Sequence, residues 1–393
     1  MPVTLLRRLT PVVHTLDHVL GRLQRVRSVL VEMRTPVYQA VLGPIADRLG
    51  ADSGVRVAYT SEYPERIRPL VPQGSFVTHR EVEWRRFDLY INGDPWAAAR
   101  LRRCARRVNF FHGVAGKYDL DNPAGLPMGF EYYDRVAFIN RDRMTRYLDA
   151  GVVTPRQAAL VGYPKLDRLA TGGYDSARVR ATLNLDPHRP TALYAPTYSP
   201  ASSLHLAGEA IVRALVRSGF NTIVKLHDRS LDPDPRYSGG IDWRARFTAL
   251  MAGHAGRIAF TETSDASPLL AAADVLVTDH SSIGFEYLVL DRPVIVFDAP
   301  ELPQAARINP EKVALLRSVA NVADTPRQTA ELAAAALAHP GVLSAARRAV
   351  AGELFHDPGG ATGRAVDLLR ELLDLAPAST RPSGSRIDRE EAS

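Results

Sequence analysis

Short runs of consecutive apolar, β-branched or aromatic residues recur along the chain, at residues 55–59, 108–111, 135–139, 191–195, 221–226, 257–260, 274–278 and 294–297. Between them lie longer stretches with apolar positions at helical spacing, such as 207–218 and 242–252. The short runs read as strands and the longer stretches as helices. Their alternation predicts parallel sheets joined by crossover helices, an α/β architecture. Val275-Leu276-Val277 is apolar without alternation, so that strand is expected to be covered on both faces. Two such sets flank Val161-Gly162-Tyr163-Pro164-Lys165-Leu166-Asp167, and breaks follow at Thr171-Gly172-Gly173 and residues 186–190. The junction between two doubly wound, Rossmann-like domains is therefore placed near residues 163–175. The expected organisation is a basic amphipathic segment over 1–48, a first domain over 49–168, a second over 169–360, a closing helix over 361–375 and a disordered tail over 376–393, where Ser, Pro, Arg and Glu dominate.

A length of 393 residues exceeds what one hydrophobic core usually supports, which agrees with two domains. With 46% hydrophobic and 23% charged residues the chain has a globular composition. Cys104 is the single cysteine, so no intrachain disulfide and no cysteine-based zinc site can form, and a reducing, cytoplasmic setting is expected. No run of 18 uncharged apolar residues predicts a spanning helix. Residues 1–48 hold seven arginines against three acids, a local balance of +4 within a net charge of +6. Leu5, Leu6, Val12, Val13, Leu16, Val19, Leu20 and Leu23 make a helical apolar stripe there, which suits either packing on the first domain or contact with an anionic membrane surface. The basic residues are not interleaved with stacking aromatics, so nucleic acid is not an expected partner.

Candidate chemistry sits where strands end. Asp274-Val275-Leu276-Val277 runs into Thr278-Asp279-His280-Ser281-Ser282 and then a helical pattern. Ligands of parallel sheets bind at such carboxyl ends. The amide groups of the helix start, with roughly half a positive charge of dipole, and the two serine hydroxyls would hold a pyrophosphate without a metal. Asp279, Ser281 and Ser282 are equally good helix caps. Glu286 falls about one turn further in, within reach of ribose hydroxyls. Phe110-Phe111-His112-Gly113 places a histidine at a strand end before flexible backbone and Lys117, suited to taking a proton from a hydroxyl near neutral pH, although a lone histidine also serves purely structural ends. Val224-Lys225-Leu226-His227 and Tyr194-Ala195-Pro196-Thr197 end two further strands in groups that suit phosphate. Asp232-Pro233-Asp234 has a metal-site spacing but lies among prolines past a strand, so no metal and no other cofactor is expected.

Taken in order, these elements resemble the CDP-glycerol glycerophosphotransferase family of teichoic-acid-type primases and polymerases. The likeness rests on His112-Gly113 with Lys117, Gly162-Tyr163-Pro164-Lys165-Leu166-Asp167, Tyr194–Thr197, Lys225–His227, Thr278–Ser282 and Asp357-Pro358-Gly359-Gly360 with Arg364, and covers about residues 105–370. It implies a GT-B-like fold of two domains facing a cleft. It further implies in-line attack of an acceptor hydroxyl on the β-phosphorus of CDP-glycerol, with CMP leaving. In that scheme His112 is the base, and His227 with Ser281 and Ser282 stabilises phosphate charge. Glu286 holds the ribose; Thr197, Lys225, Thr278 and Asp279 complete the donor side, and Gly113 and Lys117 face the acceptor. The implied partners are CDP-glycerol or a related nucleotide and a lipid-linked or polymeric envelope acceptor, reached from the inner face of a membrane. This chain departs from the family pattern at Tyr198-Ser199-Pro200, where an aromatic and then arginine are usual, at Asp228 for proline, at His280 for tyrosine and at Glu286 for aspartate. The departures bear on donor identity. A GT-B glycosyltransferase using a nucleotide sugar and an inactive nucleotide-binding scaffold are the alternatives, and release of CMP from CDP-glycerol separates the three.

Overall fold

The computed structural model describes Leu16, Val19 and residues 25–94, 103–114, 116, 120–123 and 129–376. Among them the strands sort into two sheets in which every pairing is parallel. The first contains β1 (Arg27–Glu32), β2 (Val55–Thr60), β3 (Ser75–Phe76), β4 (Phe87–Asn92), β5 (Cys104–Phe110), β6 (Arg135–Phe138) and β7 (Ala158–Leu160). Its spatial order is β3-β2-β1-β4-β5-β6-β7. The second contains β8 (Thr191–Tyr194), β9 (Asn221–Lys225), β10 (Ile258–Thr261), β11 (Val275–Thr278), β12 (Val294–Phe297) and β13 (Asn321–Ala323), ordered β10-β9-β8-β11-β12-β13. In each sheet the chain first winds one way and then the other, so each has a switch point: between β1 and β4 in the first, and between β8 and β11 in the second. A crevice opens outside the carboxyl ends of the strands at such a point.

The second sheet shows why its strands have apolar centres. Tyr194, Val224, Val275 and Val277 pack on one face with Leu215 and Phe247 from the helices Ser203–Arg217 and Trp243–Ala252. Leu193, Ile223 and Leu276 pack on the other, in the cluster that runs through the junction into the first sheet. Successive residues of a strand point to opposite faces, and here both faces are dry.

Residues 27–48 correct the expected organisation. Rather than belonging to a separate basic segment, they form β1, which is paired on both sides in the middle of the first sheet, and most of the helix Val37–Gly50. β4, which the apolar pattern does not reveal, carries the buried Asp88. Its carboxylate accepts hydrogen bonds from Ser28 N (2.7 Å), Ser28 Oγ (2.9 Å) and Arg86 Nη2 (2.6 Å), which satisfies an acid inside the sheet.

At the junction two motifs from distant parts of the sequence meet. Asp167 accepts from the backbone N–H groups of Gly359 and Ala361 (3.0 Å each) and of Thr362, capping the helix Ala361–Leu372. Arg364 donates back to the carbonyls of Val161 (2.8 Å) and His356 (3.0 Å). Gly162 has φ +92°, and a Cβ there would lie 2.5 Å from the His356 carbonyl oxygen, so the backbone crossing requires glycine. Tyr163 stacks on Phe355 with ring centroids 6.1 Å apart. The closing helix then returns to the first sheet, where its apolar face joins the same core as the helix Val37–Gly50 and Arg370 pairs with Asp52. The expected tail beyond residue 376 lies outside the described residues. None of the described helices is long and apolar enough to cross a membrane.

Candidate functional site

β5 delivers Phe110 and Phe111 into the core and leaves His112 just past its carboxyl end, partly exposed, beside the first switch point. Nδ1 of His112 lies 2.7 Å from the carbonyl oxygen of Gly93, at the end of β4. A carbonyl only accepts, so Nδ1 carries the proton and the lone pair of a neutral ring sits on Nε2. The Tyr38 ring meets the imidazole edge-on at 4.6 Å, and Tyr163 Oη donates to the His112 carbonyl (3.0 Å). Desolvation pushes the imidazole pKa below its ordinary value, helped by the charges of Arg143 and Lys165 and opposed by the Gly93 carbonyl and Asp94. The ring is thereby held neutral, oriented and open at one nitrogen, which suits a proton acceptor.

Gly113 follows with open space where a side chain would stand. Its carbonyl accepts from Arg143, whose charge is buried against Asp121 at 2.7 Å. Lys117, expected on the acceptor side, lies outside the described residues. So does most of the N-terminal apolar stripe, of which Leu16 and Val19 are described and exposed.

In the second sheet the crevice between β8 and β11 is bordered by Thr197 and by Ser281 and Ser282. Ser281 is the N-cap of the short helix Ser282–Tyr287, yet its hydroxyl makes no capping bond, and both serines are partly exposed. Thr197 is buried, with its hydroxyl unpartnered among the described residues. The expectation for Thr278 and Asp279 needs correction. Thr278 Oγ1 donates to the Ala195 carbonyl (2.7 Å), and the fully buried Asp279 carboxylate accepts from Thr197 N (2.8 Å), Ser203 N (3.1 Å) and Ser203 Oγ (2.9 Å). Both residues brace the loop after β8, and their polar atoms are spent there. Asp234 is likewise committed, capping a short helix and pairing with Arg236.

Glu286 also departs from expectation. It is buried and accepts from Lys165 Nζ at 2.6 Å, an ion pair that ties the junction to the second sheet. Lys225, partly exposed at the end of β9, has its ammonium pKa lowered, first by desolvation; Asp228 opposes the shift and Lys165 adds to it. The Lys165 charge thus acts on both His112 and Lys225, so the carboxyl ends of β5 and β9 converge on the junction lysine. His227, exposed, has Nδ1 accepting from the Arg229 N–H (3.2 Å), which puts the proton of a neutral ring on Nε2. The arrangement therefore sets an imidazole acceptor on one sheet and a second imidazole, a lysine and two serines on the other.

Sequence reasoning placed His112 and His227 just past strand ends, and the structure has them there. It missed Gly93 and Asp94, which orient and bias His112, because β4 was not recognised; the run Leu89-Tyr90-Ile91 ahead of Asn92-Gly93-Asp94 was the available signal.

Residues 142–304, from the helix after β6 to just beyond β12, match the family described as CDP-Glycerol:Poly(glycerophosphate) glycerophosphotransferase. A variant of the wall teichoic acid polymerase TagF superposes with a TM-score of 0.70 at 15% identity, covering 95% of this chain and 99% of that one. A TagF variant soaked with CDPG gives 0.67 at 16% identity, with 92% and 93% covered. The UDP-GlcNAc 2-epimerase of Neisseria meningitidis, bound to UDP-GlcNAc, gives 0.57 at 13% identity, with 88% and 100% covered. No curated protein sequence matches the chain. The structural likenesses establish the two-sheet GT-B-like fold, and over residues 142–304 the chain is similar to the CDP-glycerol glycerophosphotransferase family.

Proposed function

We propose that this protein transfers glycerol-phosphate, or a closely related polyol-phosphate, from a CDP-activated donor to a hydroxyl of a lipid-linked or polymeric envelope acceptor at the inner face of the membrane. The observation that carries this reading is His112: its Nδ1–H is committed to Gly93, so Nε2 is free to accept the hydroxyl proton. As that proton moves to Nε2, the hydroxyl oxygen bonds to the β-phosphorus. The bond from that phosphorus to the bridging oxygen breaks, and CMP leaves with the electron pair. Charge on the phosphoryl oxygens is met by His227, the hydroxyls of Ser281 and Ser282, and the Lys225 ammonium, a set of the kind that usually supplies the largest share of rate enhancement. Thr197, with an uncommitted buried hydroxyl, supports the same pocket. Lys117 and Gly113 are assigned to the acceptor side, and the basic N-terminal segment to contact with an anionic bilayer.

Purified protein incubated with CDP-glycerol and a lipid-linked glycerol-phosphate acceptor is expected to release CMP in step with acceptor elongation. A panel of CDP-polyols and nucleotide sugars run alongside identifies the donor. No CMP release from any CDP-polyol, or turnover of a nucleotide sugar instead, overturns the proposal.

A further inference from the structure

Asn92, the last residue of β4, has no part in the site as described so far. It is buried, and its side-chain amide is bonded at both ends. Oδ1 accepts from Asn109 Nδ2 at 2.9 Å and from Tyr133 Oη at 3.0 Å. Asn109 is its register partner on β5, three residues before His112, so the two amides meet across neighbouring strands inside the sheet. Nδ2 of Asn92 donates at 3.0 Å to the carbonyl of Asp94, two residues further along the chain. The side chain thus clamps the turn that leaves β4, with Gly93 held between the ends of the clamp. The Gly93 carbonyl is the group that receives His112 Nδ1 at 2.7 Å. Gly93 is confined from the other side as well: a Cβ there would lie 2.7 Å from the Tyr38 ring, which itself stands edge-on to the imidazole. The network is therefore tied at one end to the strand that carries His112 and at the other to the turn that aims it. Removing one member of a buried, bonded amide network strands its partners, so the network keeps a single geometry.

We propose that Asn92 is a positioning residue for the transfer reaction, which acts through the Gly93 carbonyl to hold the His112 ring in its accepting tautomer and orientation. A misplacement of about 1 Å at a reacting group costs on the order of a hundredfold in rate, so a rigid mount for the base has kinetic value. The proposal rests on the reading of His112 as the base and adds the residue that mounts it.

Nitrogen NMR of the histidine rings in the full chain reads the tautomer, with the His112 signals assigned by their absence from His112→Ala. Where the ring is neutral, wild-type His112 should carry its proton on Nδ1. In Asn92→Ala the clamp is gone, and a clear share of the Nε2–H tautomer should appear. Turnover of CDP-glycerol should fall by about tenfold to a hundredfold, while the KM for the donor changes by less than about twofold. Tyr133→Phe, which removes one donor to Asn92 and keeps the ring, should move both readouts the same way by less. Placed in a His112→Ala background, Asn92→Ala should lower the residual turnover by less than about twofold, because the ring it acts through is missing. An unchanged His112 tautomer in folded Asn92→Ala, or in Tyr133→Phe where the alanine variant does not fold, overturns the role of Asn92 and leaves the base reading in place. So does an equal loss of turnover with and without His112. Near-normal turnover in folded His112→Ala overturns the base reading and the reaction role of Asn92 together.

Discussion

Backbone groups hold His112 and His227 in opposite tautomers. Gly93 offers a carbonyl to Nδ1 of one, and Arg229 offers an N–H to Nδ1 of the other. If His112 is the base, His112→Ala should lower turnover by about a hundredfold or more while the affinity for CDP stays near wild type. A folded variant with near-normal turnover would remove His112 from the mechanism. The pH profile offers a second check. The base works neutral, so activity falls as pH drops through its pKa, and desolvation with the nearby Lys165 and Arg143 charges moves that pKa down. The acid limb of kcat/KM should therefore lie below the ordinary imidazole value of about 6.5, and a limb above it would contradict the assignment. The histidine itself was legible in the sequence from its place after Phe110-Phe111. Its orientation was not, since the carbonyl that sets it comes from a strand nineteen positions earlier.

Elements were readable in proportion to how dry they are. β11 and β12 are buried on both faces and read as nearly continuous apolar runs, while β8 and β9 keep apolar centres and carry polar residues only toward their ends. β1 escaped because Arg25, Arg27 and Arg34 give its surroundings a basic, surface-like composition, although Val29, Leu30 and Val31 are fully buried. β4 escaped because Asp88 interrupts its run, and only the partners Ser28 and Arg86 make that acid tolerable. Thr278-Asp279 was misread for a related reason. Small polar residues before a helix look alike whether they face a ligand or brace a loop, and the distinction lies in Ser203 and Thr197, some eighty positions away. The bracing role makes its own prediction. Asp279→Ala strands two buried N–H groups and a hydroxyl, and should cost about 3 kcal/mol in urea unfolding. A loss under about 1 kcal/mol would show that the loop after β8 is held by other means.

At the scale of the whole molecule the chain passes between its two sheets twice, once through residues 161–167 and again through 355–361, and the two passages are fastened to each other. Asp167 caps the returning helix, Arg364 grips the outgoing strand of backbone, and Gly162 gives them room. Gly162→Ala forces a side chain onto the His356 carbonyl at a positive φ and should destabilise the fold by about 2 kcal/mol or more. Asp167→Ala, which removes only the cap, should cost about 1–2 kcal/mol in the same measurement. Equal effects, or none, would show that the crossing is not the tight point the geometry describes. Two fastened passages have a mechanical consequence. A body joined to another by a single thread can swivel freely, whereas one joined at two points turns only about the line between them. If the sheets move relative to each other, two fastened passages leave them one opening and closing coordinate, along which His112 would keep a fixed orientation toward the strand ends of the second sheet.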